Sequence, residues 1–163
     1  MTETFAAYGL ALDIPDDWRI EFNPKSTREK GDVAFHSPKR NVFFVSWGKL
    51  EEAQHRFKTL EEQRDESAKR VRRNPNVKMA DIEVSSREEV SGHEALLSKM
   101  VAQRRRAFMS RSEDPAHDIW LLHLHCPQSS RYYVVYWDIR DVEEYPDAGE
   151  MFRTIAHSVV CHR

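Results

Sequence analysis

Hydrophobic and polar positions alternate from the start of the chain. Leu10, Leu12 and Ile14 are interleaved with Gly9, Ala11 and Asp13, a period of two that predicts a strand with one buried face. Pro15-Asp16-Asp17 turns the chain, and Trp18, Ile20 and Phe22 alternate again as a second edge. Residues 23–31 mix turn formers with basic side chains and read as a solvated loop. Val33 and Phe35 mark a short strand, and Ser37-Pro38 begins a hairpin turn. The following run, Asn41-Val42-Phe43-Phe44-Val45-Ser46-Trp47, is apolar on both faces, which predicts a central strand covered on both sides.

The period then changes. Leu50, Ala53, Phe57, Leu60, Ala68 and Val71 recur at helical spacing, predicting one long helix over residues 50–73. Glu51 and Glu52 in its first turn and Arg70, Arg72 and Arg73 in its last complement the helix dipole, and Asn74-Pro75 stops it. Arg64 interrupts the stripe, so the helix is expected to cover a surface and not to be enclosed. Residues 77–137 read as a meander: a long extended segment to Val90, a Ser91-Gly92-His93 turn, a strand from Ala95, a polar loop over residues 110–118, a strand ending at Cys126, and a last strand from Tyr132. Short turns between neighbours favour antiparallel hairpins. Tyr132, Val134 and Tyr136 share one face of the last strand and Tyr133, Val135 and Trp137 the other; core on both faces is the preferred reading, an exposed groove the alternative. A closing helix begins near Pro146 and turns Met151, Phe152, Ile155 and Val159 inward.

Composition narrows the class. At 163 residues the chain suits a single domain over 1–163, with an ordered core expected over about 8–160. Its 25 basic and 27 acidic residues leave a net charge of −2, which argues against a dedicated nucleic-acid binder. Two cysteines are too few for a disulfide framework, and the polar start and lack of a long apolar run predict neither a secretory signal nor a membrane span. A reduced, cytoplasmic setting is therefore expected.

Leu12-Asp13-Ile14-Pro15-Asp16-Asp17-Trp18, the Gly92-His93-Glu94-Ala95 turn, Tyr132-Tyr133-Val134-Val135-Tyr136 and Phe152-Arg153-Thr154-Ile155-Ala156-His157-Ser158-Val159 together resemble the PsbP-like (Mog/PsbP-like) fold superfamily over residues 8–160. That superfamily also holds a yeast Ran-GTPase release factor and chaperone-like proteins for secreted bacterial toxins. The resemblance implies an α+β sandwich, an antiparallel sheet flanked by a long central helix and a C-terminal helix. It also implies a binding or assembly module without chemistry of its own. No functional residue of the superfamily carries over, because the matching positions are core and turn positions.

Candidate chemistry is sparse. His123 and His125 lie two apart on a predicted strand and so share a face about 6–7 Å apart, a spacing that can begin a transition-metal site. Two half-exposed strand histidines are the plainer reading, and Cys126 points to the opposite face. Cys161-His162 at the chain end reads as a frayed terminus, with a ligand pair as the alternative. Arg104-Arg105-Arg106, with Arg111 beyond, and Arg70, Arg72 and Arg73 form a basic patch for an acidic partner if they meet in space; Arg104 and Arg106 share a face, Arg105 does not. Asp138, Asp141, Glu143, Glu144 and Asp147 read as capping and partner contact. Phosphate-binding, dinucleotide-binding and nucleophile-elbow motifs are absent. The expectation is a non-catalytic protein-binding adaptor, chaperone or assembly factor without a cofactor. A metal or small-molecule binder using the strand histidines is the rival, and a homodimer through an uncovered sheet edge stays open.

Overall fold

The computed structural model describes residues 1–106, 108–109 and 115–163. Arg111 and most of the loop expected over residues 110–118 lie outside the described residues. The elements run β1 (Thr2–Ala7), β2 (Leu10–Pro15), β3 (Arg19–Phe22), β4 (Gly31–His36), β5 (Val42–Lys49), α1 (Leu50–Arg56), α2 (Leu60–Arg72), β6 (Val77–Val90), β7 (His93–Arg104), β8 (His117–Cys126), β9 (Arg131–Asp138) and α3 (Ala148–His157). Seven strands form an antiparallel sheet in the order β3-β4-β5-β9-β8-β7-β6, and β1 and β2 form a separate hairpin. The fold is α+β, as the alternation and the resemblance imply.

Tight turns set the hairpins. Tyr8-Gly9 and Ser91-Gly92 carry paired positive φ angles of 52° and 80°, and 55° and 77°, the mirror-image turn that matches strand twist and takes glycine at its second position. The β1–β2 hairpin and α3 cover one face of the sheet. Backbone hydrogen bonds between Ala11 and Val160, at 2.9 and 2.8 Å, tie β2 to the chain just after α3. Leu10, Leu12 and Ile14 from β2, Phe35, Phe43 and Trp137 from the sheet, and Phe152 from α3 join one apolar cluster, each at most 1 % exposed. Burying each large side chain contributes about 1.5–3 kcal/mol.

The other face carries α1 and α2. Ala68 of α2, fully buried, packs with Ala80, Met100, Ala102, Ile119 and Leu121 in a smaller cluster. Here the predicted single helix over 50–73 divides in two. Phe57 is extended (φ −129°, ψ 129°), and Thr59 caps α2 by accepting the Glu62 amide at 3.1 Å while the Glu62 carboxylate accepts the Lys58 amide at 2.8 Å. This reciprocal capping satisfies amides that a new helix start exposes, so a break costs little. Among the described residues no helix is long and apolar enough to cross a membrane.

β1 begins at Thr2. One further expectation is corrected: β5 is fully covered on one face and only partly on the other, with Phe43 fully buried and Phe44 40 % exposed. Register breaks at Val77/Met79 and Ile82/Val84 interrupt the first half of the β6 edge.

Candidate functional site

Because α2 lies over β6, β7 and β8, the part of the sheet formed by β5 and β9 is left partly open beside it. A cleft of about 560 Å³ results, with Ser67, Arg70 and Val71 of α2 and Asn74 just beyond it as one wall. Its floor is Phe44, Val134, Tyr136, Ile119 and Leu121; Arg104, Asp138, Arg140 and Asp32 supply its charges, and His117 also lines it. The Phe44 and Tyr136 rings meet at 6.2 Å between centroids. Val134 and Tyr136 are therefore half-buried cleft residues, and Tyr132 is half-buried outside the cleft, which corrects the reading of core on both faces of β9.

Charge at the cleft's end is organised around Asp138, whose side chain is 13 % exposed. Arg140 donates to its Oδ2 through Nε at 3.1 Å and through its terminal nitrogen at 2.9 Å. His117 Nε2 sits 3.1 Å from Oδ1 without hydrogen-bond alignment. Burial first, then the Asp138 charge, pushes the Tyr136 phenol well above its ordinary value, so Tyr136 stays neutral. Arg70 and Arg104, by contrast, have no ion pair with a described residue and leave positive charge unspent at the rim.

The arginines predicted to form one patch separate. Arg70 and Arg104 line this cleft. Arg72 donates to the Ala80 carbonyl at 2.6 Å and lies 3.8 Å from Asp81, and Arg73 pairs with Glu66 at 3.4 Å, so both have partners within the chain and neither lines the cleft. Arg106 is exposed and engaged elsewhere. Arg140 was not anticipated; its place follows from buried Asn41, whose Oδ1 accepts the Arg140 and Asp141 amides at 2.8 and 3.0 Å. Within the acidic stretch Glu144 is spent locally, accepting from Ser37 at 2.6 Å, the Lys39 amide at 3.0 Å and Asn41 at 2.8 Å, whereas Asp147 precedes α3 without the side-chain cap expected of it.

His123 and His125 share a face, as their spacing predicts, but each Nε2 is taken. His123 pairs with Ser67 Oγ at 2.9 Å and His125 with Gln63 Oε1 at 2.6 Å. Burial, then the neighbouring His125 and Arg64 charges, pulls His123 down to about 3, and burial lowers His125 as well. A base that weak cannot activate the Ser67 hydroxyl, since general-base catalysis wants an affinity near the working pH. Among the described residues, the group of three or more potential metal ligands that converges is a different one. His93, Cys126, Cys161 and His162 have ligand atoms all within 4.8 Å of one another. Burial and the hydrogen-bonded neighbour Cys126 push the Cys161 thiol up to about 12.

No protein-family model matches the chain, and no curated protein matches its sequence. Solved structures do. The solution structure of cyanobacterial PsbP (CyanoP) from Synechocystis sp. PCC 6803 is similar with a TM-score of 0.56 at 10% identity, over 97% of this chain and 91% of that one. The crystal structure of PA94, a protein of unknown function from Pseudomonas aeruginosa, is similar with a TM-score of 0.48 at 12% identity, over 94% of each chain. The chain has a PsbP-like fold.

Proposed function

We propose that this PsbP-like chain is a protein-binding module of one domain, an adaptor, chaperone or assembly factor without a reaction of its own. It takes an acidic, partly apolar segment of a partner protein into the cleft between α2 and the open part of the sheet. The observation that carries this reading is the pairing of a partly open aromatic floor, exposed Phe44 beside half-buried Tyr136, with two arginines, Arg70 and Arg104, that lack carboxylate partners among the described residues. Aromatic side chains and arginines are the types that most often dominate protein interfaces. The weak basicity of His123 supports the absence of a reaction at Ser67. The reading includes a cytoplasmic setting, where Cys126 and Cys161 stay reduced, and prefers a foreign partner to a second copy because register breaks interrupt the first half of the β6 edge.

The volume favours one rival. About 560 Å³ lies within the roughly 300–1,000 Å³ usual for small-ligand sites, so an acidic small molecule is the second reading. Quantitative co-purification from native lysate separates the two. A partner held by the wild type and by Arg72→Glu/Arg73→Glu should fall at least about tenfold with Arg70→Glu/Arg104→Glu. Equal recovery with all three proteins, or loss only in the Arg72/Arg73 pair, contradicts the proposal. A small acidic metabolite released from wild-type protein in place of a polypeptide establishes the rival.

A further inference from the structure

The register of β7 and β8 brings His93 and Cys126 to the same end of the sheet, each two residues beyond the Ala95–Leu124 pair. The C-terminal tail arrives there because Val160 is bridged to Ala11. The Cys161 backbone is then held on both sides: its amide donates to Ser91 Oγ at 3.3 Å, and its carbonyl accepts from the Tyr133 hydroxyl at 2.9 Å. His162 turns back over the sulfurs, with Nδ1 3.2 Å from Cys161 Sγ and 3.5 Å from Cys126 Sγ. Its ring meets that of His93 edge-on at 5.2 Å between centroids. We propose that His93, Cys126, Cys161 and His162 form a closed tetrahedral site for a divalent transition metal, zinc by chemical preference, that fastens the C-terminal tail to the ends of β7 and β8.

Three observations support this. The donor set is two sulfurs and two imidazoles, the composition of closed structural zinc sites, with no position left for a substrate. Bonds of about 2.0–2.3 Å give a tetrahedron with edges of roughly 3.3–3.8 Å. The sulfur–nitrogen separations of 3.2 and 3.5 Å already approach this, the sulfur–sulfur edge, 2.7 Å, must open, and the His93 ligand atom lies within 4.8 Å of the other three. His93 Nε2 is buried without a hydrogen-bond partner, an orphan that a metal bond would satisfy.

A Cys126–Cys161 disulfide would leave His93 and His162 without a role.

Cobalt(II) titration of the full, untagged chain under reductant tests the site. One equivalent of cobalt should bind with the intense visible absorption of a tetrahedral thiolate complex, and zinc should displace it. Cys161→Ser and His162→Ala, changes at the chain end that circular dichroism can show to leave the fold intact, should each weaken uptake at least about tenfold. His123→Ala/His125→Ala should bind as the wild type does. No cobalt uptake by reduced protein, wild-type uptake in the Cys126→Ser/Cys161→Ser protein, or an intact Cys126–Cys161 disulfide in protein from reducing cells would each overturn the proposal.

Discussion

Two rows of side chains, one residue apart along the same strands, meet opposite fates. The row Phe35–Phe43–Trp137–Trp120 runs across β4, β5, β9 and β8 beneath the β1–β2 hairpin and α3, and its first three members are completely buried. The adjacent row, Ala34–Phe44–Tyr136–Leu121, crosses the same strands on the α2 side; Phe44 is 40 % exposed while Leu121, under the helix, is 1 % exposed. Hydrophobicity alone does not distinguish the rows. What differs is coverage: α3 and a hairpin close one face, and a helix shortened by its own cap closes half of the other. The closed row holds the fold together, and the open one is left for recognition.

Substitutions along the two rows should part accordingly. Trp137→Ala, which empties the closed row, is expected to cost about 3–5 kcal/mol in urea unfolding. A loss below about 1 kcal/mol would mean that the closed face is not the main core.

Acid reaches the covered half of the α2 face through His123. Its folded affinity for protons, about 3, lies below the ordinary 6.5, so between these values the unfolded chain binds a proton that the folded chain does not. Its contribution is whole above pH 6.5 and is lost as pH falls from 6.5 toward 3, at about 1.4 kcal/mol per pH unit. His125, also lowered by burial, acts in the same direction. Urea midpoints measured from pH 7 to about pH 4.5 should fall, and less steeply in His123→Gln. A flat profile would contradict the burial of His123.

Thr59→Ala removes the α2 cap and should cost about 1 kcal/mol. Hydrogen exchange should then speed at the first turn of α2 and not in α3. Smallest of all, Phe44→Ala should change stability by less than about 1 kcal/mol, while weakening partner recovery more than any stability change explains.

Much of this arrangement was legible in the sequence. Period-two alternation at Leu10, Leu12 and Ile14, the Ser91-Gly92 turn and the inward set Phe152, Ile155 and Val159 report local geometry that burial then enforces. β1 escaped notice because Thr2 to Ala7 bury little and owe their order to pairing with β2. The helix break was written as Thr59-Leu60-Glu61-Glu62, a capping signal masked by the continuing stripe. The half-open face was not legible, since an apolar position records what could be covered and not which helix covers it. The Cys and His cluster joins residues 93, 126, 161 and 162, a convergence that only the register of β7 with β8 and the return of the tail beside β2 reveal.

The central claim is that a partner sits on the open half of the sheet, and site-specific photo-crosslinking tests it most directly. A benzophenone side chain placed at Phe44, with Val84 on the exposed β6 edge as the comparison position, is irradiated in native lysate. A discrete polypeptide captured at position 44, absent at 84 and lost with Arg70→Glu/Arg104→Glu, is the predicted result. Capture at 84 with none at 44 would contradict the account.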